Sequence, residues 1–182
     1  MREKGECLVE TVQVILGSES DLEILKSSDL PKILEGLEVS WECHVISAHR
    51  NADDLHDHCQ QAVATDSKIF IAAAGMAAAL PGAIAAITKG QVPVIGVALE
   101  SSDGFLSGMD ALLSMVRMPP GVPVITAGIG KPGLKNAALI ACQILALTSP
   151  TFQLTFQKLL AASGKKPRIG IKSEVVSQKG VK

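Results

Sequence analysis

A chain of 182 residues is long enough to bury one sizeable core. With 47% apolar residues but 3% aromatic ones, no Tyr and one Trp, that core must be packed from Ala, Val, Ile and Leu. The formal net charge of −1 hides an asymmetry: residues 163–182 hold six Lys or Arg against Glu174 alone, a tail that could touch nucleic acid but whose Gly and Ser residues read more simply as a solvated terminus, so no nucleic-acid partner is expected.

Residues 1–6 lack the apolar run and cleavage pattern of a signal peptide, so a cytoplasmic protein is expected. The first β-branched run, residues 11–16, reads as a strand and stops at Gly17-Ser18-Glu19-Ser20-Asp21. Apolar positions at Leu22, Leu25, Ile33, Leu34 and Leu37 then repeat with a helical period, and Pro31 predicts a break near Asp29, with Ser28 or Asp29 as cap. A polar turn between a strand and a helix leaves free backbone N–H groups that can take a phosphate; equally, Ser20 or Asp21 can simply cap the helix.

A second strand is expected at residues 41–46, followed by the densest chemistry in the chain, Ser47-Ala48-His49-Arg50-Asn51. In an open α/β sheet the ligand crevice lies beyond the carboxyl ends of the strands, so this turn delivers a proton-transfer group and a cation to one small volume. The alternative is a strand-end turn whose His caps a carbonyl. A helix over residues 52–63 presents Leu55, Cys59, Ala62 and Val63 inward. His56 and His58 are two apart on it and point about 200° apart, so they cannot chelate one ion, and His44 lies inside a strand, facing away from Cys43. All three read as structural or surface residues, and no metal site is expected.

Residues 68–73 form a third strand, apolar from Ile69 onward as expected for one covered on both faces. The following run, from Gly75 to Gly82, is almost entirely small residues, which allow either a ligand or a packed helix to approach the backbone. Pro81 is placed to open a helix over residues 83–88. The apolar stretch from Ile69 to Ile87 is interrupted by Gly75, Pro81 and Gly82 and is too weakly hydrophobic for a membrane span.

Further along are a strand at residues 92–97, a loop at 100–108, a helix at 109–116, a turn around Pro119 and Pro120, a strand at 122–126 and a long helix at 135–147. Gly128-x-Gly130-x-x-Gly133 matches the dinucleotide fingerprint in spelling, but the acidic residue required about 20 positions on is missing. A structural turn is the better reading. Pro150 opens a last amphipathic helix ending near Ala162, which must close over its own sheet or pack on another subunit. The four cysteines, Cys7, Cys43, Cys59 and Cys142, contain no C-x-x-C pair and are expected to be reduced and mostly buried. Five strands alternating with helices predict a doubly wound, parallel five-stranded sheet in a three-layer α/β/α sandwich, flavodoxin- or Rossmann-like, with an extra C-terminal helix. Residues 1–162 are expected to form one domain and 163–182 a solvated basic tail.

Three loops in order, Gly17-Ser-Glu-Ser-Asp21, Ser47-Ala-His-Arg50 and Gly75 with Leu80-Pro-Gly82, resemble the phosphate loop, catalytic turn and small-residue loop of the PurE enzymes of purine biosynthesis. Leu106-Ser-Gly-Met-Asp110, Leu113-Ser-Met-Val-Arg-Met-Pro119, Gly121-Val-Pro-Val124 and Asn136-Ala-Ala-Leu-Ile140 are similar to that family's pattern too. The resemblance implies an N5-carboxyaminoimidazole ribonucleotide mutase, a homo-octamer without metal or organic cofactor that moves a carboxylate from an exocyclic nitrogen to C4 of the aminoimidazole ring. By position, Ser18, Ser20 and Arg50 would hold the ribotide phosphate and Asp21 the ribose hydroxyls. His49 would be the general acid and base. Gly75, Ala78 and Leu80 would line the pocket, with Ser47, Ala48 and Ala79 also against substrate.

The implied chemistry suits one imidazole: carbamate cleavage needs a proton on nitrogen, and the C4 adduct must lose one. Two positions depart from the mutase pattern. Ala79 stands where a second His precedes Leu-Pro-Gly, and Asn51-Ala52 replaces the usual Thr-Pro. The first removes a polar group from beside the transferred carboxylate, which fits an altered substrate, direct carboxylation of the aminoimidazole ribotide by CO₂, or a paralogue with another ribotide; a non-catalytic ribotide- or nucleotide-binding module that kept the fold is the alternative of another class. Arg50 and Leu80-Pro81-Gly82 favour the mutase over the animal-type carboxylase, which tends to have Lys at the first position and lacks the second motif.

Overall fold

The computed structural model describes residues 11–101 and 106–162. Cys7 and the basic segment 163–182 lie outside the described residues, as does the middle of the loop expected at 100–108.

Five parallel strands, β1 (Val12–Leu16), β2 (Trp41–Val45), β3 (Ile69–Ala74), β4 (Val94–Ala98) and β5 (Ile125–Ile129), pair in the order β2-β1-β3-β4-β5. β1, β3 and β4 are buried at every position because helices cover both faces of the sheet. One face carries α1 (Leu22–Lys26), α2 (Leu30–Gly36) and α6 (Gly130–Ala146); the other carries α3 (Ala52–Ala64), α4 (Ala79–Ile87) and α5 (Met109–Val116). Alternation along β1 divides the core accordingly: Val12, Val14 and Leu16 join Leu34, Leu134 and Ala138, while Ile15 joins Leu55, Phe70, Leu80 and Ile84. Each large side chain sealed in these clusters contributes about 1.5–3 kcal/mol of transfer free energy.

The helical stretch after β1 is broken where Pro31 predicts. The Ser28 hydroxyl donates to the Leu25 carbonyl at 2.7 Å and accepts from the Leu30 N–H at 3.2 Å, ending α1 and starting α2. Ser28 does the capping, since the Asp29 side chain makes no cap bond and instead accepts from Lys135 Nζ at 2.7 Å. The last helix, α7 (Pro150–Ala162), closes over its own subunit: Phe156 is buried in the cluster containing α6, with Phe152, Leu159 and Leu160 packed against it.

Four element starts differ from the periodicity by two residues or more, each with a proline close by. β4 begins at Val94 rather than 92, and β5 at Ile125 rather than 122, because Pro93 and Pro123 bring no N–H to the ladder. α4 begins at Ala79 rather than 83, with Pro81 in its first turn, where a missing N–H costs nothing. α6 likewise starts at Gly130 rather than 135. Among the described residues no helix is long and apolar enough to cross a membrane.

Gly128 and Gly133 serve packing. Gly128 has φ +120°, a left-handed conformation that disfavours side chains, and a Cβ on Gly133 would lie 2.7 Å from the Gly128 carbonyl carbon and oxygen. Burial pushes the Cys59 thiol up to about 11 and the Cys142 thiol to about 12, which keeps both protonated and unreactive. Gly133→Ala is expected to destabilise the protein by about 2–3 kcal/mol, because the clash is with backbone that cannot rotate away. The midpoint of urea unfolding measures this, with Gly36→Ala, where a Cβ meets nothing within 4 Å, as the reference.

Candidate active site

The strand order reverses direction between β1 and β3, and there the carboxyl ends of neighbouring strands open a crevice. The register sets Leu16 opposite both Val45 and Ala73, so β1, β2 and β3 end level with one another. Their three loops therefore leave the sheet into one space, a cavity of about 630 Å³, within the range of small-molecule sites.

Every residue expected from the sequence to touch substrate lines it. Ser18, Ser20 and Asp21 come from the loop after β1, Ser47, Ala48, His49 and Arg50 from the turn after β2, and Gly75, Ala78, Ala79 and Leu80 from the loop after β3 and the start of α4. His49 is exposed to the cavity rather than turned into the core.

The loop after β1 forms a single 3₁₀ turn, Glu19–Asp21, with Ser18 at its N-cap. Ser18 Oγ accepts from the Ser20 N–H at 3.4 Å and from the Ser20 hydroxyl at 2.9 Å. Capping therefore falls to Ser18; Asp21 occupies the N-cap of α1 without a side-chain cap bond. Burial raises the Asp21 carboxyl above its usual value, against the opposing pull of hydrogen bonds from Ser18 and Ser20.

The turn carrying His49 is built on Ser47. Its buried hydroxyl accepts from the Arg50 N–H at 3.3 Å and its carbonyl from the Asn51 N–H at 2.9 Å, so Ala48 and His49 project from a closed turn. The Arg50 guanidinium donates to the Gly17 carbonyl at 3.4 Å, tying this turn to the serine loop. His49 thus stands beside a cation whose position is shared by both loops.

The third wall is tightly wound. Met76 (φ 55°) and Ala78 (φ 41°) are both left-handed without being glycine, and the Ala78 N–H donates to the Gly75 carbonyl at 3.0 Å. A Cβ on Gly75 would meet the Leu99 carbonyl at 3.1 Å, so this wall packs directly against the chain leaving β4. Sequence reasoning missed Glu100 and Ser101, which line the cavity from the end of β4, and Ile24 from α1. The rule that ligands sit beyond strand ends applies to β4 as well as to β1–β3 and could have found the first two. Gly128, Gly130 and Gly133 take no part in the cavity wall.

Away from this cavity, the structure adds a contact between elements that the sequence did not show. His56 and His58 do diverge on α3, but His44 and His58 meet across β2 and α3, with Glu42 completing a group whose ligand-capable atoms lie within 4.8 Å of one another. Periodicity along a single helix could not reveal a pair formed between two elements.

The family model described as AIR carboxylase matches residues 11–166. The chain is 46% identical over 147 residues to the N5-carboxyaminoimidazole ribonucleotide mutase of Pyrococcus abyssi, covering 81% of this chain and 80% of that one. It is 48% identical over 134 residues to the corresponding mutase of Bacillus subtilis, covering 74% and 79%. The crystal structure of Treponema denticola PurE superposes with a TM-score of 0.70 at 25% identity, over 84% of this chain and 90% of that one.

Replacing Ser47 by Ala removes the buried acceptor for the Arg50 N–H. It is expected to cost about 1 kcal/mol in urea unfolding, and the change should be much smaller for Ser27→Ala, whose exposed hydroxyl bonds only carbonyls of its own helical turn.

Proposed function

The chain belongs to the AIR carboxylase (PurE) family, and on that premise we propose that it is an enzyme of purine biosynthesis that transfers a carboxylate on an aminoimidazole ribotide, acting as an N5-carboxyaminoimidazole ribonucleotide mutase. The observation that carries the proposal is His49 on the cavity wall, facing the space between the Ser18–Ser20–Asp21 loop and the small-residue loop, with Arg50 bonded to Gly17 beside it.

In this reading the ribotide phosphate sits against the serine loop, held by Ser18, Ser20 and the Arg50 guanidinium, and the ribose hydroxyls meet Asp21. Anchoring the sugar phosphate leaves the base one place to lie, over Gly75–Leu80 and within reach of His49. The protonated imidazole gives its proton to the exocyclic nitrogen as the N–carboxylate bond breaks, releasing CO₂ and the amine. C4 then attacks the CO₂ carbon, and the neutral imidazole takes the C4 proton, restoring both the aromatic ring and the starting state of His49. Between these events CO₂ must neither hydrate nor escape, and with the ribotide filling the cavity the Gly75–Leu80 wall beneath the base keeps water from it.

A second reading, direct carboxylation of the aminoimidazole ribotide by CO₂, is favoured by one feature: Ala79 places a methyl group, with no polar atom, at the cavity wall beside Leu80. Enzyme supplied with the N5-carboxy compound, or with the unsubstituted ribotide in bicarbonate-saturated buffer, separates the two. Product from CO₂ alone, with none from the carbamate, rejects the mutase reading. Exposed Leu106, Met109, Leu113, Val116 and Ile125 support a homo-oligomer, proposed to be an octamer, and the proposed location is the cytoplasm.

His49→Asn is expected to lower kcat by about 10²–10⁴-fold, the usual contribution of a general acid–base, while ribotide affinity by calorimetry changes little. An unaltered kcat rejects the proton-transfer role. Arg50→Ala is expected to act chiefly on binding, weakening ribotide affinity by about tenfold or more through loss of a charge-assisted contact. Unchanged affinity in that variant rejects the phosphate role of Arg50.

A further inference from the structure

Glu42 and His44 are two apart on the edge strand β2 and so project from the same side of the sheet. The register identifies that side: Glu42 lies opposite Gln13 and His44 opposite Ile15, and Ile15 packs into the cluster beneath α3. Cys43, between them, packs against the other cluster. From α3, two turns beyond the His49 loop, His58 reaches the same point, and its ring stands 4.4 Å, centroid to centroid, from that of His44.

We propose that Glu42, His44 and His58 form a binding site for a divalent transition-metal ion, Zn²⁺ by its ligand set, that clamps the edge strand to α3. One ligand-capable atom of each residue lies within 4.8 Å of the others. Tetrahedral coordination at normal Zn–N and Zn–O distances separates ligand atoms by about 3.3–3.5 Å, so closure takes side-chain movements of about 1 Å. Two imidazoles and one carboxylate select Zn²⁺ or its first-row neighbours over Mg²⁺ and Ca²⁺, which prefer all-oxygen shells.

Three further features fit a ligand set. His44 Nε2 is out of contact with solvent and makes no hydrogen bond, although Glu42 Oε2 lies 3.2 Å away, near enough for an ion pair but misaligned for a hydrogen bond. Behind the cluster, buried Gln13 anchors the group from the interior: its Oε1 is 3.1 Å from His58 Nε2 and its amide nitrogen donates to Ser67 Oγ at 3.1 Å. Such outer partners orient ligating imidazoles. The side chains of His44 and Glu42 are 39% and 40% exposed, so an ion can reach them from solvent.

The test uses the full chain stripped with EDTA and then titrated with Co²⁺ or Zn²⁺. One equivalent is expected to bind at micromolar concentration or below, Co²⁺ with the visible absorption of a four-coordinate site, and Zn²⁺ to raise the thermal midpoint by several degrees. Glu42→Gln, His44→Ala and His58→Ala should each weaken binding about tenfold or more and remove the thermal shift. His49→Asn, His56→Ala and Cys43→Ala should keep both. Far-ultraviolet circular dichroism of each metal-free variant checks folding, and His44→Asn replaces His44→Ala if the latter fails that check. Absence of one-equivalent binding at micromolar metal overturns the proposal. So does binding that survives loss of His44 and His58, or that disappears in His49→Asn.

Discussion

The site depends on the register of β1 with its two neighbours. Because Leu16 pairs with Val45 on one side and Ala73 on the other, three strands end at the same height and three loops share one mouth. A parallel ladder buried on both faces holds that alignment firmly, since a slip by one residue would exchange Ile15 with Val14 and Leu16 between two incompatible cores. Chemistry is thereby left to short loops fastened to a rigid frame.

The loops are also fastened to one another. Ser47 closes the turn under His49, Ser18 closes the turn under Ser20, and Arg50 joins the two through the Gly17 carbonyl. The neutral bonds among these are modest individually, about 0.5–1.5 kcal/mol for a typical pair. Their value lies in geometry: His49 and the serine loop keep a constant separation. The third wall is placed by strain and contact, with Ala78 held left-handed over Gly75 and Gly75 pressed against Leu99. The absence of a side chain at Gly75 is thus required by packing, whether or not a ligand also approaches that wall.

Where the sequence was legible, the signal was local and chemical. Pro31 marks the break between α1 and α2, the β-branched runs mark the buried strands, and the polar residues directly after them mark the cavity wall. Where it misled, hydrophobicity competed with backbone hydrogen bonding. Val92 and Val122 look like strand residues, yet the prolines that follow them cannot donate to the ladder, and both strands start later. Pro81 looks like a helix start, yet the first turn accepts a proline at its third position as readily as at its first.

The order of strands and helices, the covering of both sheet faces and the three cavity-lining loops were determined by the sequence alone, because each rests on residues within a few positions of one another. Tertiary structure alone decided that Glu100 and Ser101 join the cavity, that α7 folds back on α6, and that His58 meets His44 and Glu42. Those contacts depend on strand register and on the rotation of a helix about its axis. Apolar periodicity specifies which stripe of a helix faces the sheet, but not which polar side chain at the edge of that stripe meets a given strand residue.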